Sequence, residues 1–154
     1  MDGTVIAAAL YAYLHFAAIL TLASALGAQA LLLRAEAGPK TVRALTRTDI
    51  LYGISAVAVI ATGIVRILFG GKAPETYLLN PVFWTKMALV TLLAVLSVAP
   101  TLRFRRWHHA LASDPAFSPD PREFAAIRRL VFAQLHILAL IPLPAVLMAR
   151  GIGL

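Results

Sequence analysis

The chain of 154 residues contains no cysteine. It therefore has no disulfide bond, no thiolate metal ligand and no Cys-x-x-Cys-His motif for covalent haem attachment. Acidic residues are also scarce, since seven Asp and Glu stand against 14 Lys and Arg, giving a formal net charge of +7. A shortage of carboxylates restricts both catalysis and the pairing of buried cations.

Several catalytic motifs are absent as well. The sequence has no H-E-x-x-H, no P-loop and no G-x-S-x-G, and no pair of carboxylates falls within an apolar segment. Hydrolysis, phosphoryl transfer and carboxylate-based proton pumping therefore lack the residues that they require.

Apolar residues dominate what is present, at 60% of the chain. Four segments reach the length of about 20 apolar residues that a membrane span needs. Backbone groups inside a bilayer must be paired within the span, so each segment is predicted to be helical. The chain is predicted to be a single all-α membrane domain over residues 1–154, an up-down-up-down four-helix bundle with helices at about 5–33, 50–69, 82–102 and 121–149. The start Met1-Asp2-Gly3-Thr4 has no basic region, so we do not expect a cleavable signal peptide.

Basic residues concentrate in two of the three connections. By the positive-inside rule these connections are cytoplasmic and both termini lie outside, which predicts a multi-pass membrane protein. The excess charge then indicates orientation and contact with anionic lipid, and we expect no nucleic-acid partner. The first connection carries Arg34, Lys40, Arg43 and Arg47, and the third carries Arg103, Arg105, Arg106, Arg122, Arg128 and Arg129.

Local signals predict where the helices begin and bend. Thr46 or Thr48, followed by Asp49, is a plausible N-cap region for the second helix. The stretch Asp120–Glu123 predicts a capping box with proline at the first helical position. Because proline leaves a carbonyl of the preceding turn unpaired, Pro142–Pro144 predicts a kink near the end of the fourth helix.

Four ionisable side chains fall at bilayer depth, namely His15, Arg66, Lys86 and His136. Such groups cost a few kcal/mol each to insert, so they are functional candidates by default. Each is basic or can become so, and no predicted span offers an internal carboxylate. This set indicates a bound anion, a metal, or a cofactor that is both.

The two histidines suit metal or proton chemistry. His15, with Tyr11 one turn earlier on the same face, is a candidate axial haem or metal ligand or proton acceptor. The alternative for His15 is a neutral histidine that hydrogen-bonds across helices. His136 lies somewhat deeper and is the candidate second ligand of a bis-histidine haem between the first and fourth helices. A structural hydrogen bond from His136 is the alternative.

The two cations suit carboxylates. Arg66 and Lys86, the latter close to Trp84, fall in the same outer half as His15. Together they could clamp a pair of carboxylates such as porphyrin propionates, with the guanidinium binding in bidentate fashion. The alternatives are side chains that reach the membrane interface and contacts with lipid phosphate.

Short motifs carry a family resemblance. Tyr13-Leu14-His15-Phe16 in the first span and Phe83-Trp84-Thr85-Lys86-Met87-Ala88-Leu89-Val90 in the third resemble the HemJ-type protoporphyrinogen oxidases. More closely, the chain resembles small uncharacterised four-helix bacterial membrane proteins that look related to them. The segment Ala61–Arg66, followed by Gly71-Lys72 and Asn80-Pro81, is typical of that second group.

The resemblance implies haem b as cofactor and catalytic roles for His15 and Lys86. It also implies a location in the bacterial inner membrane, with both termini in the periplasm. With the residues above, it predicts a haem-b-binding membrane protein of redox function, either oxidising a porphyrinogen or transferring electrons to the respiratory chain through a quinone or another partner. Tyr11, Trp84, Arg66 and His136 complete the predicted cofactor site. The alternatives are a cofactor-free carrier or channel for a small anion, or a membrane assembly subunit. Small residues along the first helix favour close packing between protomers, so we expect a homo-oligomer.

Overall fold

A computed structural model describes residues 3–70 and 73–153. Residues Gly71 and Lys72 of the resemblance motif, and Met1 and Asp2, lie outside these ranges. The described residues form helices and no strand, which confirms the predicted all-α class. The elements are α1 (Gly3–Leu32), α2 (Pro39–Phe69), α3 (Pro74–Leu78), α4 (Pro81–Ser113), α5 (Pro121–Leu140) and α6 (Pro142–Ala149).

The long helices form an antiparallel bundle. Four of them are long and apolar enough to cross a membrane, counting α5 and α6 as one. In the described residues α1 packs on α2 and α5, and α4 packs on α2, α5 and α6, whereas the backbones of the diagonal pairs lie farther apart. In the described residues the backbone of α6 approaches α4 and α5 but not α1, and α6 and the first residues of α1 belong to the same half of the bundle. We call this half the terminal half and the opposite extremity the basic end.

Two helices are much longer than the sequence predicts. Helix α2 begins at Pro39 instead of residue 50, and α4 continues to Ser113 instead of residue 102. At 1.5 Å per residue α4 is about 50 Å long, against about 30 Å for the hydrocarbon of a bilayer. Hydropathy detects only the apolar part of such a helix, so the sequence predicts loops where the structure has polar helical extensions at the basic end.

The helix ends confirm some local signals and correct others. Asp120 caps α5, since its carboxylate accepts from the backbone amides of Arg122 and Glu123 at 2.8 and 3.1 Å. The helical hydrogen bonding is interrupted at Ile141, between α5 and α6, which is where the sequence predicts a kink. The N-cap prediction at Thr46–Asp49 is wrong, because α2 starts eleven residues before 50, at Pro39, and both threonine hydroxyls donate to carbonyls of their own helix.

Apolar packing is concentrated toward the basic end. There the extensions of α2 and α4 enclose side chains from α5, and Trp107 is only 1% exposed. In the terminal half packing is sparser, and His15 is the single buried residue of α1 before Leu22. We call the part of this cluster at the basic end the basic-end core; its buried members are Leu33, Val42, Leu45, Phe104, Trp107, Leu111, Phe124 and Ile127. The cluster continues toward the middle of the bundle through Leu22, Ala25, Leu26, Ala30, Tyr52 and Val131.

Among the described residues Asp49 places a carboxylate in the interior of a helix long enough to span a membrane, which corrects the expectation that no span contains one. Because α2 starts early, Asp49 is in its interior instead of at its cap. Its carboxylate accepts from the Gln29 amide of α1 at 3.4 Å and from the Thr101 hydroxyl of α4 at 2.9 Å. Asp49 therefore joins three helices through a polar contact in the half of the bundle that adjoins the basic end.

Candidate functional site

His15, Arg66 and Lys86 come from three helices and lie at inward-facing positions. His15 is two turns before buried Leu22, and Lys86 is one turn after buried Phe83 on the same face of α4. His15 is 5% exposed, whereas Arg66 and Lys86 are half-buried. We call these three side chains the basic cluster.

A hydrogen bond to Thr62 orients the His15 ring. The Nδ1 atom of His15 lies 2.9 Å from the Thr62 hydroxyl oxygen. That hydroxyl donates its single hydrogen to the carbonyl of Ala58, 2.6 Å away on its own helix. With the hydroxyl hydrogen assigned to Ala58, its nearest acceptor, we assign the Nδ1 proton to the side that faces Thr62 and the Val59 carbonyl, and the lone pair of the neutral imidazole to Nε2.

Gly63 allows the ring to lie directly on the backbone of α2. A Cβ atom added at this position would come within 3.3 Å of His15 Cε1. In the described residues Nε2 has no hydrogen-bond partner, and no buried side-chain nitrogen or oxygen is left unpaired. Within the described ranges Nε2 is therefore the ring nitrogen of His15 that has no protein partner.

The two cations act on the same site. The charges of both Lys86 and Arg66 bear on the His15 imidazole, and they bear on each other. The Arg66 guanidinium lies over the ring of Phe16, 5.5 Å from its centre. Across residues 3–70 and 73–153 the ion pairs present join Glu123 to Arg103 and Arg106, so no carboxylate neutralises the cluster. A site of this kind favours an anionic ligand.

The remaining predicted site residues are placed differently. Tyr11 is half-buried one turn before His15, with its ring centre 6.5 Å from that of Phe69. Trp84 is 56% exposed, packs edge-on against Phe83 and donates its indole N–H to the Leu78 carbonyl, so it lies on the outer surface.

His136 is not brought to the basic cluster. Its side chain is exposed, and Nδ1 donates to the carbonyl of Phe132 at 2.7 Å, one turn earlier in α5. This is a hydrogen bond within its own helix. Ligation of one iron by both His15 and His136 stays a prediction.

The ligand set limits which metal this protein could hold. In the part of the chain that the structure describes, no three His, Asp or Glu side chains come together as a metal site. A bare metal ion in a protein usually needs three or four such ligands. A haem iron needs only one or two, because the porphyrin supplies four nitrogens itself.

Comparison with known proteins gives one family. Its model, described as Predicted membrane protein (DUF2214), matches residues 7–153. No curated protein and no solved structure matches the chain. The match agrees with the resemblance to a family of small membrane proteins, whereas kinship with the HemJ-type oxidases stays a prediction.

Proposed function

Because the chain belongs to the family described as Predicted membrane protein (DUF2214), which names a location and no activity, we propose a function from the basic cluster. The protein binds haem b and takes part in a redox reaction in the membrane. This proposal rests on one observation, the hydrogen bond that turns His15 Nδ1–H toward Thr62 and leaves Nε2 free.

The His15 environment fits an axial ligand. A metal-bound histidine almost always donates its other ring N–H to an acceptor that fixes its tautomer and orientation. Thr62 is such an acceptor, and Gly63 lets the ring approach it closely. A single buried imidazole in the terminal half then suffices for haem, which supplies one-electron chemistry when bound.

The cations fit the carboxylates of the same ligand. Haem carries two propionates, and Arg66 and Lys86 have no carboxylate partner among the described residues. A guanidinium binds a carboxylate through two parallel hydrogen bonds, and the ammonium adds a second charge. The backbones of α1 and α6 do not pack closely against each other, and we propose that a planar amphiphile enters the terminal half between them.

Two reactions are compatible with this site. In one, the cations hold the carboxylates of a porphyrinogen while electrons leave toward a quinone or respiratory partner of the bacterial inner membrane. In the other, the protein relays electrons between partners. Both assign His15 to the iron and Arg66 and Lys86 to carboxylates.

A carrier for a small anion is the second candidate. The unneutralised charge of Arg66 and Lys86 favours it, because a cofactor-free path for anions would use the same two side chains. The carrier requires no metal, so a spectrum of the protein distinguishes the two functions.

The first test is the absorption spectrum of the protein purified in detergent, before and after titration with haemin. We expect a Soret band that saturates at a single haem per chain and a reduced-minus-oxidised difference spectrum of the b type. A protein that stays colourless after haemin is added would contradict haem binding and leave the carrier as the better candidate.

Thr62→Val tests the orientation of His15. Valine keeps the shape of threonine but cannot accept the Nδ1 proton, so we expect haem affinity to fall by about 10- to 100-fold. The measurement is a haemin titration followed at the Soret band. Thr21→Val is the matched control, because the Thr21 hydroxyl is exposed and donates only to the Ala17 carbonyl. Equal haem affinity in Thr62→Val and Thr21→Val would contradict the role of Thr62 in orienting His15. Thr62→Ser keeps the hydroxyl and should therefore bind haem like the wild type.

A further inference from the structure

A stripe of cations lies on the outer face of α2 at the basic end. Lys40, Arg43 and Arg47 are spaced at about one helical turn from each other and all three are exposed. No ion pair in the described residues involves any of them. They border a shallow, open depression of the surface together with Ala44 and Thr48.

The same face becomes apolar immediately after Arg47. At the same helical spacing it continues through Ile50, Ile54, Val57 and Ile64, which are 60%, 63%, 69% and 52% exposed. No other helix covers this track in the described residues, because α1 and α4 pack on the opposite side of α2, through Asp49 and Thr62.

We propose that this face binds an anionic phospholipid, with the phosphate on Lys40, Arg43 and Arg47 and an acyl chain along the apolar track. A free phosphate would satisfy only the cations, and an apolar helix would satisfy only the track. A lipid with a negative headgroup complements both surfaces, because its headgroup meets the cations and its acyl chain meets the apolar track that follows them along α2. The length of α2 supports this placement. A helix of 31 residues is longer than the hydrocarbon layer of a bilayer is thick, so the cations at its start reach the membrane–water interface.

The test is native mass spectrometry of the detergent-solubilised chain titrated with phosphatidylglycerol or phosphatidylcholine. The wild type should retain phosphatidylglycerol preferentially. Removing the stripe with Lys40→Gln, Arg43→Gln and Arg47→Gln together should weaken that binding about tenfold or more. The matched control removes the same amount of positive charge from α4 and α5, through Arg105→Gln, Arg128→Gln and Arg129→Gln. This variant should keep most of the phosphatidylglycerol binding.

Three outcomes would overturn the proposal. The first is that the wild type binds phosphatidylglycerol no better than phosphatidylcholine, an observation that requires no variant. The second is an equal loss of phosphatidylglycerol binding in the two triple variants, since that would show that the lipid responds to total charge and not to the stripe on α2. The third is inorganic phosphate displacing the lipid at comparable concentration, because the apolar track would then contribute nothing. Arg43→Gln alone, in the middle of the stripe, provides a milder variant if the triple one does not fold.

Discussion

Replacing His15 with alanine is expected to abolish the Soret band, whereas His136→Ala should leave its position and intensity unchanged. His15 is buried, is oriented by Thr62 and offers Nε2 to a ligand. His136 is exposed and bonded within its own helix. The two variants remove the same functional group. A difference between their spectra therefore depends on where the imidazole lies in the bundle and not on the loss of an imidazole in general. The measurement is the ratio of Soret to protein absorbance after purification and after haemin addition.

Two controls make this result decisive. His15→Gly leaves a space beside Gly63, and free imidazole added to that variant should restore part of the band. Far-ultraviolet circular dichroism should show unchanged helicity in all three variants. Retention of the wild-type spectrum in His15→Ala would contradict the proposed ligation. A shifted spectrum in His136→Ala would instead support the bis-histidine prediction.

Trp107→Ala is expected to lower the free energy of unfolding by about 3–5 kcal/mol, the usual cost of deleting a large buried aromatic side chain. Trp107 stacks on Phe124 with ring centres 5.8 Å apart and contacts Phe104 at 5.7 Å. Its indole N–H donates to the Glu123 carboxylate at 2.8 Å. The truncation therefore leaves a cavity and an unused acceptor at the centre of the basic-end core.

The second tryptophan supplies the control. Trp84 is 56% exposed at the other end of α4, so Trp84→Ala should cost no more than about 1 kcal/mol, typical of a surface side chain with one hydrogen bond. Unfolding in sodium dodecyl sulfate, followed by circular dichroism, compares the two variants. Equal losses would show that the basic-end core does not dominate stability.

The sequence predicted the spans because long apolar runs have few alternatives in a bilayer. It predicted the start of α5 because Asp120 and Pro121 are local signals that depend on few neighbours. It missed the early start of α2 because charged residues lower the hydropathy of a helix that leaves the membrane. A periodic signal was nevertheless present, since Phe104, Trp107 and Leu111 recur every three to four residues beyond the predicted end of α4.

The site was predictable only in part. The depth of His15, Arg66 and Lys86 in the membrane follows from their positions along the spans. Whether the three side chains lie near one another depends on how the helices pack. Thr62 is 47 residues from His15, so no local pattern connects them. Asp49 shows how one error causes another, because a helix start placed at residue 50 left this carboxylate outside the bundle.

The location of the basic-end core has a consequence for how this protein can change over evolution. Dense packing lies at one end and the basic cluster lies toward the other, where few side chains are buried. Substitutions around His15 can therefore alter affinity or ligand choice while the midpoint of unfolding barely moves. Such a division leaves the site free to be remodelled, since the interactions that keep the chain folded are made elsewhere.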